Sequence, residues 1–87
     1  GIPPADVEAL RARYGQEALF RLRLGVDAAR AEAPQSAGAC PPPPLLWAGS
    51  PQQRQFEQAL AAAQPYAAGR ILGAWQQLQE RCGVASP

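Results

Sequence analysis

Histidine is absent from this chain, and so are lysine, asparagine, threonine and methionine. Without histidine, a Ser-His-Asp arrangement cannot be assembled. Nor is there a side chain whose ordinary titration falls near pH ~6 to serve as a pH switch. Cysteine occurs only as Cys40 and Cys82. Two thiols so far apart, with no histidine beside them, make neither a zinc site nor the Cys-x-x-Cys pair of redox enzymes. There is no Gly-rich phosphate loop of the usual form. No apolar run reaches the ~18–20 residues of a membrane span. An excess of one charge is also missing: eight arginines face seven acids, for a net charge of +1. That balance gives no reason to expect nucleic acid or an anionic membrane as partner. Asp27 and Glu32 stand five apart on a helix, point in different directions and read as solvated surface. An enzyme is the least expected class, and no cofactor or metal is expected.

What the chain does contain is alanine, proline and helical periodicity. Its 87 residues suffice for one domain with a modest core. Apolar residues make up 47%, which favours folding over disorder. Much of that is alanine, so each large apolar side chain should matter. The fold class expected is all-α: a small three- to four-helix bundle with a proline-rich loop, helices about 5–14, 16–33, 51–64 and 65–82, and a loop over 34–50.

The last helix organises the rest. Pro65 suits its first position and Gly83 its C-terminal cap. Ala68, Ile71, Trp75, Leu78 and Cys82 recur at three- and four-residue intervals and so share a face. Upstream, Val7, Leu10 and Tyr14 follow helical spacing until Gly15, which predicts a break or a close helix contact. Over 16–33, Ala18, Leu22, Val26 and Ala29 make one stripe, with Leu19 beside it. Phe20, Leu24 and Ala31 make a second on roughly the opposite side. A helix apolar on two sides is central in its bundle or offers one side to a partner. Gly25, bordering the first stripe, allows another backbone to come close. Phe20 reads as core, with a dimer contact as the alternative. Arg23 and Arg30 share a side and read as ordinary surface, or as a face for an acidic partner. Ser50-Pro51 is a helix start, and Phe56, Leu60 and Ala63 mark that helix's inner face, with Ala59 beside them.

The loop over 34–50 is long for a compact domain, so it is functional or pinned. In an oxidising compartment two cysteines in so small a chain suggest a disulfide, Cys40–Cys82. By the chain-entropy model it adds roughly 4 kcal/mol. The alternative is two buried thiols acting as small hydrophobes. Pro41–Pro44 predicts a stiff polyproline rod that straps Leu45 and Trp47 onto the helices or is read by a proline-binding domain. Trp75 and Tyr14 read as core. Trp47, in the loop, is the better interface candidate. Pro43, Pro44, Leu45, Leu46 and Trp47 are therefore the expected partner-binding residues.

The order of pieces carries a resemblance. Leu22-x-Leu24-Gly25-Val26-Asp27-Ala28 leads to Cys40-Pro41. Gln52-Gln53 then opens a helix, Pro65 makes a corner, and a last helix ends in Cys82. Over roughly Ala18 to Cys82 this resembles the small periplasmic Tai-type immunity proteins of type VI secreting bacteria. The further cysteine common in that family's first helix is replaced here by Leu19-Phe20-Arg21. The resemblance implies an all-helical, disulfide-bonded protein, often dimeric, that blocks a secreted amidase effector by placing a protruding segment in its cleft. The partner expected is thus another protein, with a homodimer left open. The location expected is periplasmic or secreted, the start at Gly1 reflecting a removed signal peptide or trimming. A periplasmic chaperone or stress protein, or a structural subunit of an envelope assembly, is the alternative.

Overall fold

The computed structural model of the chain describes residues 4–32, 40 and 45–83. Within them the chain runs α1 (Pro4–Tyr14), α2 (Gln16–Ala31), α3 (Pro51–Ala61) and α4 (Pro65–Leu78), closing with a π-helical turn, Gln79–Gly83. The described residues contain no strand, and the all-α expectation holds. The rod expected at Pro41–Pro44 lies outside them.

α4 packs against both α2 and α3. Leu22, Phe56, Leu60, Ala68 and Leu72 form the central cluster, with Leu10, Tyr14, Val26, Ala59 and Ile71 packed against it. Trp75 is buried as well. The buried face of α4 differs from the expected one. Ala68 and Trp75 keep their places, but Ile71, Leu78 and Cys82 are only half-buried, and Gly69, Leu72 and Gly73 take the inside. The face is turned because α4 meets α2 backbone to backbone. A Cβ added to Gly25 would meet the carbonyl oxygen of Tyr66, and one added to Gly69 that of Leu22. At Gly73 it would lie 2.6 Å from the carbonyl oxygen of Val26. Three glycines thus let the two helices approach more closely than any side chain permits. The close approach expected at Gly25 is found.

Matched positions advance together along the two helices: Leu22 with Gly69, Val26 with Gly73, Arg30 with Gln76 and Gln77. α2 and α4 therefore run in the same direction. Parallel neighbours cannot be joined by a tight turn, and the return is made by the 32–64 segment that contains α3.

Polar bonds fix the far end of this pair. Arg30 Nη2 donates to both oxygens of Glu80 at 3.0 and 2.7 Å, and Nη1 to Gln76 Oε1 at 3.3 Å. Arg70 Nη2 donates to both oxygens of Glu32 at 3.0 and 2.9 Å. Hydrogen bonds to Glu32 and then Tyr66 hold the Arg70 guanidinium above its usual pKa. The Gln77 amide donates to the carbonyls of Arg30 and Glu32 at 2.9 and 3.3 Å, capping the end of α2 from across the interface. α2 stops at Ala31 rather than 33: Glu32 is already extended, with φ −79° and ψ 136°.

Gly15 is a break and not a contact. Its φ is +94°, with open space where a side chain would go, so backbone conformation alone requires glycine. The α3–α4 corner also differs from the expectation that α3 runs to about 64. Ala62 caps the helix, Ala63 turns left-handed with φ 60°, and Ala63 is exposed instead of facing inward. The Gln64 amide donates to the Ala59 carbonyl at 2.9 Å, and the Ala63 amide to that of Leu60 at 3.0 Å. These are the two bonds of a Schellman motif, made with alanine where glycine is usual.

Candidate interaction surface

The expected disulfide is formed. Cys40 and Cys82 are bonded with their Cα atoms 5.5 Å apart, and no described cysteine is free. A disulfide fits an oxidising compartment. It ties the incoming end of the proline segment to the turn that follows α4.

The outgoing end is held by a different set of bonds. Ser50 caps α3: its Oγ accepts from the Gln53 amide at 3.0 Å and donates to the Trp47 carbonyl at 2.7 Å. The Ser50 amide donates to the same carbonyl at 3.0 Å. Gln53 Oε1 accepts from the Gly49 amide at 2.7 Å, and Arg54 Nη1 donates to the Gly49 carbonyl at 3.2 Å. Gly49, with φ +79°, supplies the turn conformation. The Trp47 ring is half-buried and packs edge-on against Phe56 and Trp75, with centroids 5.5 and 5.7 Å away.

Of the expected partner-binding residues, Pro43 and Pro44 lie outside the described residues. Leu45 is half-buried. Trp47, expected at the interface, packs its ring against the edge of the core. Its ring is an aromatic roof over Phe56 and Trp75. Leu46 differs from both neighbours: 63% exposed, it stands out from a segment whose next residue is anchored. Sequence position alone could not separate Leu46 from Trp47, because both are apolar loop residues.

Beside Trp75 runs a shallow groove of about 320 Å³, lined by Gln52 and Gln55 of α3 and Ile71, Ala74 and Leu78 of α4. A second apolar surface lies on the outside of α2. Phe20, expected in the core, is 59% exposed, and Leu24 is 45% exposed. Phe20 stays outside because the glycine contact turns Leu19, Leu22, Gly25 and Ala29 inward. Arg23 and Arg30 are both exposed, as read, but Arg30 is paired with Glu80, so the alternative of an Arg23–Arg30 face for an acidic partner has only one uncommitted arginine among the described residues. Glu32 is held by Arg70 and does not combine with Asp27.

No family model, curated protein or solved structure matches the chain. No described helix is long and apolar enough to cross a membrane.

Proposed function

We propose that this chain is an exported, disulfide-stapled binding protein of the inhibitor or immunity kind, acting in the periplasm, with Leu46 at the tip of its binding segment. The observation that carries this reading is the contrast between Leu46 and Trp47. One projects into solvent while the next is wedged against Phe56 and Trp75. An exposed apolar side chain on an anchored backbone loses little conformational freedom on binding, which favours affinity. The resemblance to Tai-type immunity proteins supplies the class of partner: an amidase effector delivered by type VI secretion, blocked by a segment entering its cleft.

The test is inhibition of peptidoglycan cleavage by purified type VI amidase effectors. The wild-type chain is expected to inhibit at least one of them at near-stoichiometric ratio. Leu46→Asp is expected to raise the required concentration at least about tenfold, since truncation of an interface anchor typically costs over ~1 kcal/mol. Absence of inhibition across a panel of effectors contradicts the immunity reading. Inhibition that is indifferent to Leu46→Asp contradicts the placement of the site.

A further inference from the structure

The floor of the α3–α4 groove is the stripe Ile71, Ala74 and Leu78 of α4, spaced at helical intervals of three and four residues. The glycine contact turns this stripe off the inner face, which leaves Ile71 and Leu78 half-buried and Ala74 exposed. Along one wall stand Gln52 and Gln55, three apart on α3. Neither side-chain amide has a hydrogen-bond partner among the described residues, whereas those of Gln53, Gln76 and Gln77 are all bonded. Among the lining residues the only charge is positive, at Arg81, and none carries a carboxylate.

We propose that this groove binds a short extended peptide segment that carries apolar side chains and no basic residue. A glutamine amide presents both donors and an acceptor, the complement of a peptide group. An extended segment has its peptide groups open to such bonds, while a helix has already bonded its own along its length. From Ile71 to Leu78 the floor runs about 10 Å at 1.5 Å per residue, the length of about three residues of extended chain. Its volume of about 320 Å³ lies at the small end of ligand sites. An apolar side chain of the segment rests on Ile71, Ala74 and Leu78, its backbone bonds to Gln52 and Gln55, and the positive field of Arg81 favours a neutral or acidic neighbour over a basic one. A sugar is matched less well, because Trp75 is only 6% exposed and leaves no ring face for it to stack on. So short a contact binds weakly, since little is gained to offset the ordering of the peptide. Leu46 does not line the groove, and peptide binding there stands apart from the blocking of an effector.

Titration of the intact, oxidised chain with acetylated, amidated tripeptides, followed by residue-resolved NMR, tests this. The peptides carry leucine, phenylalanine or alanine at the centre and neutral, acidic or basic flanks. Leucine- and phenylalanine-centred peptides with neutral or acidic flanks are expected to bind with dissociation constants of about 1 mM or below, shifting the signals of Gln52, Gln55, Ile71, Ala74 and Leu78. Alanine-centred peptides are expected to bind at least about tenfold more weakly, for want of apolar area to bury, and basic flanks are expected to weaken binding. Gln52→Ala and Gln55→Ala are each expected to weaken it about two- to tenfold, the worth of one hydrogen bond. Ala74→Trp fills the groove from an exposed position and is expected to abolish binding with an unchanged helical circular dichroism signal. No saturable shift with any peptide overturns the proposal. So do shifts that map to another face, or binding that survives Ala74→Trp. Binding indifferent to both glutamine variants contradicts the pairing with peptide groups, and a chitin trisaccharide that saturates the same residues ahead of every peptide contradicts the choice of ligand.

Discussion

The Cα of Gly69 rests against the backbone carbonyl of Leu22, with no space between them for a methyl group. The atoms in the way belong to backbone, so no rotamer change relieves the clash, and the helices must separate. Gly69→Ala is expected to destabilise the fold by about 3 kcal/mol or more, the upper end for overpacked sites. Gly25→Ala should behave alike, for the same reason at the Tyr66 carbonyl. Gly15→Ala is the comparison. It meets open space, and its cost is conformational only, about 1–3 kcal/mol. Urea unfolding of the three variants measures this. A Gly69→Ala protein as stable as the wild type would remove the backbone contact as the organising feature.

The Cys40–Cys82 bond spans a sequence separation of 42. Closing such a loop contributes roughly 4 kcal/mol on the chain-entropy model, a large share of the ~5–15 kcal/mol expected of a small domain. The Cys40→Ser, Cys82→Ser variant is expected to unfold at a markedly lower urea concentration. A midpoint unchanged from that of the oxidised protein would show that the helices alone hold the structure.

Ala63 adopts a left-handed conformation that L-residues avoid at a cost of about 1–2 kcal/mol. Glycine removes that cost but adds freedom to the unfolded chain, worth about 0.4–1 kcal/mol. Ala63→Gly is therefore expected to stabilise the protein by about 0.5–1 kcal/mol. A lower melting temperature in the variant would contradict the strained Schellman corner.

Much of this fold was legible in the residues. Ser50-Pro51 and Pro65 start the helices they announce, Trp75 is buried, the two cysteines are bonded, and Gly25 receives a close neighbour. What the residues did not disclose has a common origin. The periodicity of apolar side chains points to Ala68, Ile71, Trp75, Leu78 and Cys82, yet the inner face of α4 is centred on Gly69 and Gly73, which have no side chain to register in such a pattern. The α3–α4 corner uses alanine where glycine would have marked the turn. The Arg30–Glu80 and Arg70–Glu32 pairs join positions 50 and 38 apart, beyond the reach of any local pattern. In the loop, the long segment and its run of apolar residues Leu45, Leu46 and Trp47 are legible. Which of Leu46 and Trp47 faces outward is not, because that depends on where the Phe56 and Trp75 rings sit.

Trp47 and Leu46 should therefore separate by variant. Trp47→Ala removes a ring held against two others and is expected to cost about 3–5 kcal/mol of stability if the ring counts as core, less in proportion to its exposed edge. Leu46→Asp is expected to change stability by no more than ~0.5 kcal/mol, as for other surface substitutions. Thermal melts of both variants check this. A Leu46→Asp protein as destabilised as Trp47→Ala would mean that Leu46 packs in solution.

The most direct measurement is a titration of type VI amidase effectors with wild-type chain and with Leu46→Asp, reading peptidoglycan cleavage, alongside the unfolding midpoint of each. Inhibition by the wild type, at least about tenfold weaker inhibition by the variant, and matching midpoints are expected. Equal inhibition by both proteins, or none by either, would contradict it.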